Sequence, residues 1–90
     1  GGVVSSGMSD TENYGTFKVE VDGELIIDRG SIFNNFSELT NNGLVSVKDG
    51  GQLNTETGSI TNNGTMEIFS FFNGDIGKIT GTGTLNDHRE

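Results

Sequence analysis

Apolar residues in this chain recur two apart within short runs, and a polar corner bearing glycine or asparagine separates one run from the next. In Gly43-Leu44-Val45-Ser46-Val47 and Gly64-Thr65-Met66-Glu67-Ile68 the alternation has the period of a strand. The recurring unit is Gly-x-Φ, with Φ apolar, and it returns at Gly51-Gln52-Leu53 and Gly58-Ser59-Ile60. The three-and-four apolar spacing of an amphipathic helix is absent. Asn41-Asn42-Gly43 and Asn62-Asn63-Gly64 are the same turn, 21 residues apart. Glycine or asparagine at such a bend supplies a positive-φ corner. Three short strands and three bends between one turn and its repeat describe a coil of a parallel β-solenoid.

Extended along the chain, the template predicts three ladders. The first starts at Gly15, Gly43 and Gly64, with Phe17, Val45 and Met66 inward, then Val19, Val47 and Ile68. The second starts at Gly23, Gly51 and Gly74, with Leu25, Leu53 and Ile76 inward. The third starts at Gly30, Gly58 and Gly77, with Ile32, Ile60 and Ile79 inward. All three glycines shift by 28 residues from the first coil to the second. The expected fold is therefore all-β, a parallel β-solenoid of three to four coils, each with three short strands and roughly 21–28 residues. The first coil's surplus, around Asn34-Asn35-Phe36-Ser37-Glu38-Leu39-Thr40, is read as a loop or a fourth short strand with Leu39 inward. Residues 1–14 are read as a partial coil or cap, 15–85 as the repeats and 86–90 as a polar tail. A meander of hairpins is the rival fold, because Asn-Gly also makes hairpin turns. The concerted glycine offset favours the solenoid.

Composition narrows the picture. A hydrophobic content of 30% is low for a globule but suits narrow coils whose strands bury one face. The absence of proline fits uninterrupted ladders. Without cysteine there is no disulfide and no thiolate metal site. The apolar runs are too short to span a membrane, and no signal peptide is evident. Five basic against 13 acidic residues give a net charge of −8, which argues against nucleic acid and anionic membranes as partners. Glu20, Asp22 and Glu24 alternate with Val19, Val21 and Leu25 and read as a solvated face. Neither terminus carries a recognisable cap, so the coils are expected to continue into more solenoid or into neighbouring copies.

The asparagine-glycine turns and Gly-x-Φ strands, from Gly15 to about Leu85, resemble the passenger domains of autotransporters and the filamentous-haemagglutinin type of bacterial adhesin. That resemblance implies a right-handed parallel β-helix and an extracellular or cell-surface structural role. It transfers no catalytic residue.

Candidate chemistry is sparse. His88 is the only histidine, so one chain offers neither a nucleophile triad nor a transition-metal cage. Glu20, Asp22 and Glu24 read as a polar face rather than a glycosidase pair, and Asp49, Glu67 and Asp75 are dispersed. Asp22-Gly23, Asp49-Gly50-Gly51 and Asn73-Gly74-Asp75 are oxygen-rich but match neither the calcium-roll nor the EF-hand pattern, and are read as turns. No enzyme activity, cofactor or metal is expected. Phe33, Phe36, Phe69, Phe71 and Phe72 are the candidate contact residues for another copy, with a sugar-stacking platform and local core as competing roles. Asn35, in Asn35-Phe36-Ser37, is the candidate glycosylation site, since Asn63 is explained by its turn. The expected function is a structural repeat of a secreted or surface fibre that self-associates end to end. The alternatives are an adhesin segment binding a receptor or glycan, and a piece of a polysaccharide-degrading tailspike-like β-helix.

Overall fold

The computed structural model describes residues 3–5, 10–55 and 57–89. Their strands are β1 (Val3–Ser5), β2 (Asp10–Asn13), β3 (Thr16–Val19), β4 (Glu24–Ile27), β5 (Ile32–Asn35) and β6 (Glu38–Asn41). They continue as β7 (Leu44–Val47), β8 (Gln52–Asn54), β9 (Ser59–Asn62), β10 (Thr65–Ile68), β11 (Phe71–Asn73) and β12 (Thr84–Asp87). Every pairing is parallel. Sheet A runs β1-β4-β7-β10-β12, sheet B β2-β5-β8-β11 and sheet C β3-β6-β9. The chain passes A, B, C and back to A, so it is an all-β parallel solenoid of about four coils. The principal extents are 29 × 28 × 23 Å.

Two-residue alternation decides what fills the coil. In β4, β7 and β10 of sheet A both inward positions are apolar: Leu25, Val45 and Met66 stand in one stack, Ile27, Val47 and Ile68 in the other, all fully buried. In sheets B and C the first inward position is apolar, giving Phe33–Leu53–Phe72 and Phe17–Leu39–Ile60. The second is largely asparagine. Asn13, Asn35, Asn41 and Asn62 are buried where their strands turn into the next corner.

Those asparagines link coil to coil. Asn13 Nδ2 donates to Asn35 Oδ1 at 2.9 Å and to the Glu38 carbonyl at 2.8 Å. Asn35 Nδ2 donates to Thr55 Oγ1 at 3.1 Å and to the Ser59 carbonyl at 2.9 Å. On the next corner, Asn41 Nδ2 donates to Asn62 Oδ1 and to the Thr65 carbonyl, both at 2.9 Å. Asn62 Nδ2 carries the pattern on to the Thr84 carbonyl at 3.0 Å. A buried amide is tolerated because its donors and acceptor are satisfied.

The observed phase corrects the predicted ladders. Gly43 stacks on Gly23 rather than Gly15: a Cβ on Gly43 would lie 2.3 Å from the Gly23 carbonyl oxygen. Accordingly Val45 sits on Leu25, Leu53 on Phe33 and Ile60 on Leu39. Residues in register stand 19–22 apart, as the bonds Asn86–Glu67 and Asn13–Asn35 illustrate. The 28-residue glycine offset is thus one coil of 21 plus one strand-and-corner module. Residues 38–41 are neither insertion nor fourth strand. They form β6, the third strand of their coil, with Leu39 fully buried. Phe33, not the half-buried Ile32, points inward on β5, and Val21 is 68% exposed in a corner. In the third coil β11 places Phe72 inward, ahead of Gly74. Residues Ile76–Lys78 form a one-turn 3-10 helix, with Ile76 and Ile79 half-buried against the core. Strand β12 takes in Asn86 and Asp87 of the expected tail.

Positive φ is also rarer at the corners than expected. Gly30, Gly50, Gly74 and Gly81 adopt it, at 79°, 82°, 157° and 107°, but Gly43 and Gly64 of the repeated Asn-Asn-Gly corners do not. Gly64 is required for space: a Cβ there would lie 2.2 Å from the Gly43 carbonyl oxygen.

Candidate interaction site

The five candidate phenylalanines separate into two groups. Phe33 is fully buried, packed edge-to-face on Phe17 with centroids 5.1 Å apart. Phe72 is buried on Leu53. Inward placement makes both of them core, and so removes them from the set able to touch another copy. Phe36, Phe69 and Phe71 are 43%, 44% and 53% exposed. They do not form one cluster. Phe36 lies in the corner between sheets B and C, Phe71 at the start of β11 on the outer face of sheet B, and Phe69 in the corner after sheet A.

Phe36 has a partner that sequence reading missed. Its ring stacks on Tyr14, with centroids 5.0 Å apart and planes 15° from parallel. The two rings occupy the same corner of successive coils, in Asn13-Tyr14-Gly15 and Asn35-Phe36-Ser37. The repeated Asn-aromatic-small pattern, 22 residues apart, is the signal that could have found it. Asn35 itself is 1% exposed, with its amide nitrogen committed to Thr55 and Ser59. Asn63 is the exposed sequon asparagine.

On the outer face of sheet A, Glu67, Phe69, Asn86 and His88 converge. Asn86 stands beside Glu67 in register, and its Nδ2 donates to Glu67 Oε2. His88 Nε2 is 3.0 Å from Glu67 Oε1, and its ring lies on Phe69, with centroids 4.3 Å apart and planes 4° from parallel. The hydrogen bond from Asn86, followed by that from His88, holds the Glu67 carboxyl below its ordinary value. Arg89 bonds Asp87 through side chain and backbone and lowers that carboxyl to about 2. Arg89 Nη1 also reaches the Phe72 carbonyl at 3.4 Å. These contacts lash β12 to the preceding coil.

The end of the solenoid beyond β12 is apolar at Leu85, Ile76 and Ile79 and charged at Asp87, which stands in register on Ile68 and is paired with Arg89. Leu85 stands in register on Met66, and Ile76, Ile79 and Leu85 pack against the core while remaining half-buried. Between them lies a cavity of about 130 Å³, bordered also by Asn62 and Gly83. Strand β12 pairs with β10 on one edge and with no strand on the other among the described residues. At the opposite end β1, β2 and β3 likewise have one partner strand each among the described residues. No group of three His, Cys, Asp or Glu side chains placed to hold a metal ion is found among the described residues. No described helix is long and apolar enough to cross a membrane. What this surface can do chemically is pair backbone and bury apolar side chains. No protein-family model, curated protein or solved structure matches the chain.

Proposed function

We propose that this chain is a structural β-solenoid repeat of an extracellular or cell-surface fibre, joined to further copies end to end. The observation that carries the reading is Leu85. It occupies the inward stack of Leu25, Val45 and Met66, yet it is half-buried because its axial side has no described neighbour. A core position left open on one side, ringed by strand edges, is a template for the next coil. Stacking one molecule's last coil on another's first continues parallel sheets in a head-to-tail sense, and such contacts propagate instead of closing. Ile76, Ile79 and the edge of β12 supply the apolar and hydrogen-bonding parts of the joint.

Sedimentation velocity over a concentration series tests this. The expected result is mass that grows with concentration, and a Leu85→Asp chain that stays monomeric with unchanged circular dichroism. A wild-type chain that remains monomeric throughout, in buffer of about 0.15 M salt, would refute end-to-end joining.

A further inference from the structure

The Tyr14–Phe36 stack stops one coil short of the groove beside it. Tyr14 covers one face of the Phe36 ring, and the rings advance along the solenoid by 5.0 Å, close to the roughly 4.8 Å strand spacing. In the next coil this corner is longer, residues 55–58, and Thr57 borders the space beside Phe36. There the structure has a cavity of about 230 Å³, bordered by Asn34, Asn35, Phe36, Asn54, Thr57 and Asn73. It is smaller than the roughly 300–1,000 Å³ pockets of drug-sized ligands, and suits one ring.

Its polar wall is a relay of amides on the outer face of sheet B. Gln52 Nε2 donates to Asn54 Oδ1, and Asn54 Nδ2 donates to Asn34 Oδ1, each at 2.8 Å. At the cavity the relay ends in an amide donor at Asn34 that meets no further side chain among the described residues, while Gln52 lies outside the lining. That open N–H and the remaining lone pairs of the Asn34 and Asn54 carbonyls match hydroxyl groups, which both give and take hydrogen bonds. The outward positions of β2, β5, β8 and β11 hold no lysine or arginine, and Glu12 stands beside Asn34 in register. An anionic ligand would therefore find no counter-charge, on a chain of net charge −8.

We infer that this cavity binds one neutral pyranose ring, stacked on Phe36 as the third ring of the series with its hydroxyls on Asn34 and Asn54. An aromatic face takes the C–H face of a sugar because its π-cloud is negative and those hydrogens are weakly positive. The site lies on the lateral face of sheet B and reaches Asn73 on its last strand, β11, so it goes beyond the fibre reading and would be repeated in every stacked copy. Repetition turns weak single-ring affinity into avidity.

The test is a titration of the ¹⁵N-labelled chain with the methyl glycosides of glucose, galactose and mannose, followed on the side-chain amides of Asn34 and Asn54. At least one glycoside is expected to shift both signals saturably, with a dissociation constant on the order of 1 mM. Glucuronic acid should bind more weakly than methyl glucoside. Phe36→Leu, which keeps an apolar side chain without the ring, should weaken binding about tenfold while the remaining spectrum is preserved. Three results would each overturn the assignment: no glycoside moves these amides, glucuronic acid binds as well as the neutral sugar, or Phe36→Leu leaves affinity unchanged. None depends on the oligomeric state, so failure here and failure of end-to-end joining are separate outcomes.

Discussion

The inward asparagines show how little side-chain variety this fold needs to be specific. Asn41 bonds the Thr65 carbonyl, Asn62 Oδ1 and, as acceptor, the Gly43 N–H at 3.0 Å, in a fully buried position. Asn41→Leu keeps the volume but strands three partners away from water. An unsatisfied buried group costs about 1–3 kcal/mol, so urea melts should show a loss of at least about 2 kcal/mol. Val47→Ala and Ile60→Ala, at 0% and 2% exposure, should each cost about 2–4 kcal/mol. Losses under about 0.5 kcal/mol at both would contradict the stacks described here. The glycines offer a sharper contrast. Gly64 approaches the Gly43 carbonyl so closely that no Cβ fits, whereas a Cβ on Gly15 would have nothing within 4 Å. Gly64→Ala should therefore lower the melting midpoint clearly, and Gly15→Ala should leave it within about 0.5 kcal/mol of wild type. Equal effects would mean that corner space is not what selects Gly64.

At the scale of elements, most strands and their inward faces were legible, β5 and the third coil excepted, and their phase was not. Leu25, Leu53, Val45, Val47 and Met66 are buried where the two-residue period places them. Gly43 and Gly64 do stack across one coil of 21 residues. The period cannot say which strand lies above which. A module of one strand and one corner is nearly the same length in all three sheets, so slipping by one module leaves the glycine pattern almost superimposed. What breaks the degeneracy is the chemistry of the corner: Asn41 bonds Asn62, and Asn13 bonds Asn35. An asparagine reads as a turn residue in sequence, yet here it is a core residue at a strand end, Asn35 of the sequon included. The Tyr14–Phe36 pair escaped notice because it depends on that same phase.

Strand β12 is tied on the outer face of sheet A by Asn86 and His88 to Glu67, and this gives it a pH dependence of its own. Glu67 and Asp87 have carboxyls lowered in the folded chain, by Asn86 and His88 and by Arg89 respectively. A depressed folded value means the stabilisation is present above the unfolded carboxylate value, and is lost as pH falls through the folded one. Asp87 is lowered by Arg89 two residues on, a local contact, so the group that ties the two strands is Glu67, and its contribution is lost as pH falls below the ordinary value of 4.5. Leu85 methyl shifts should therefore move toward those of an undocked strand below that value, while Val45 methyls hold. If the two residues respond together, β12 is not the separately secured element that these contacts describe.

For the whole molecule, the proposed joint would bring together copies that each carry −8, so each added copy would oppose the next, while the attraction would come from strand edges and from Leu85, Ile76 and Ile79. Salt screens the first and leaves the second: the Debye length falls from about 30 Å at 0.01 M to about 10 Å at 0.1 M. The latter is shorter than the 23 Å least extent of one copy, so at moderate salt repulsion is confined to the joint itself. Assembly is thus expected to strengthen between about 0.01 and 0.1 M salt and then to level off, opposite to a joint built on ion pairs. Light scattering at fixed protein concentration would follow it. Leu85→Asp should abolish growth at every salt concentration, because it removes the apolar term and adds charge where screening is least effective. Scattering that decreases as salt is added would show that charge attraction, not core continuation, brings the copies together.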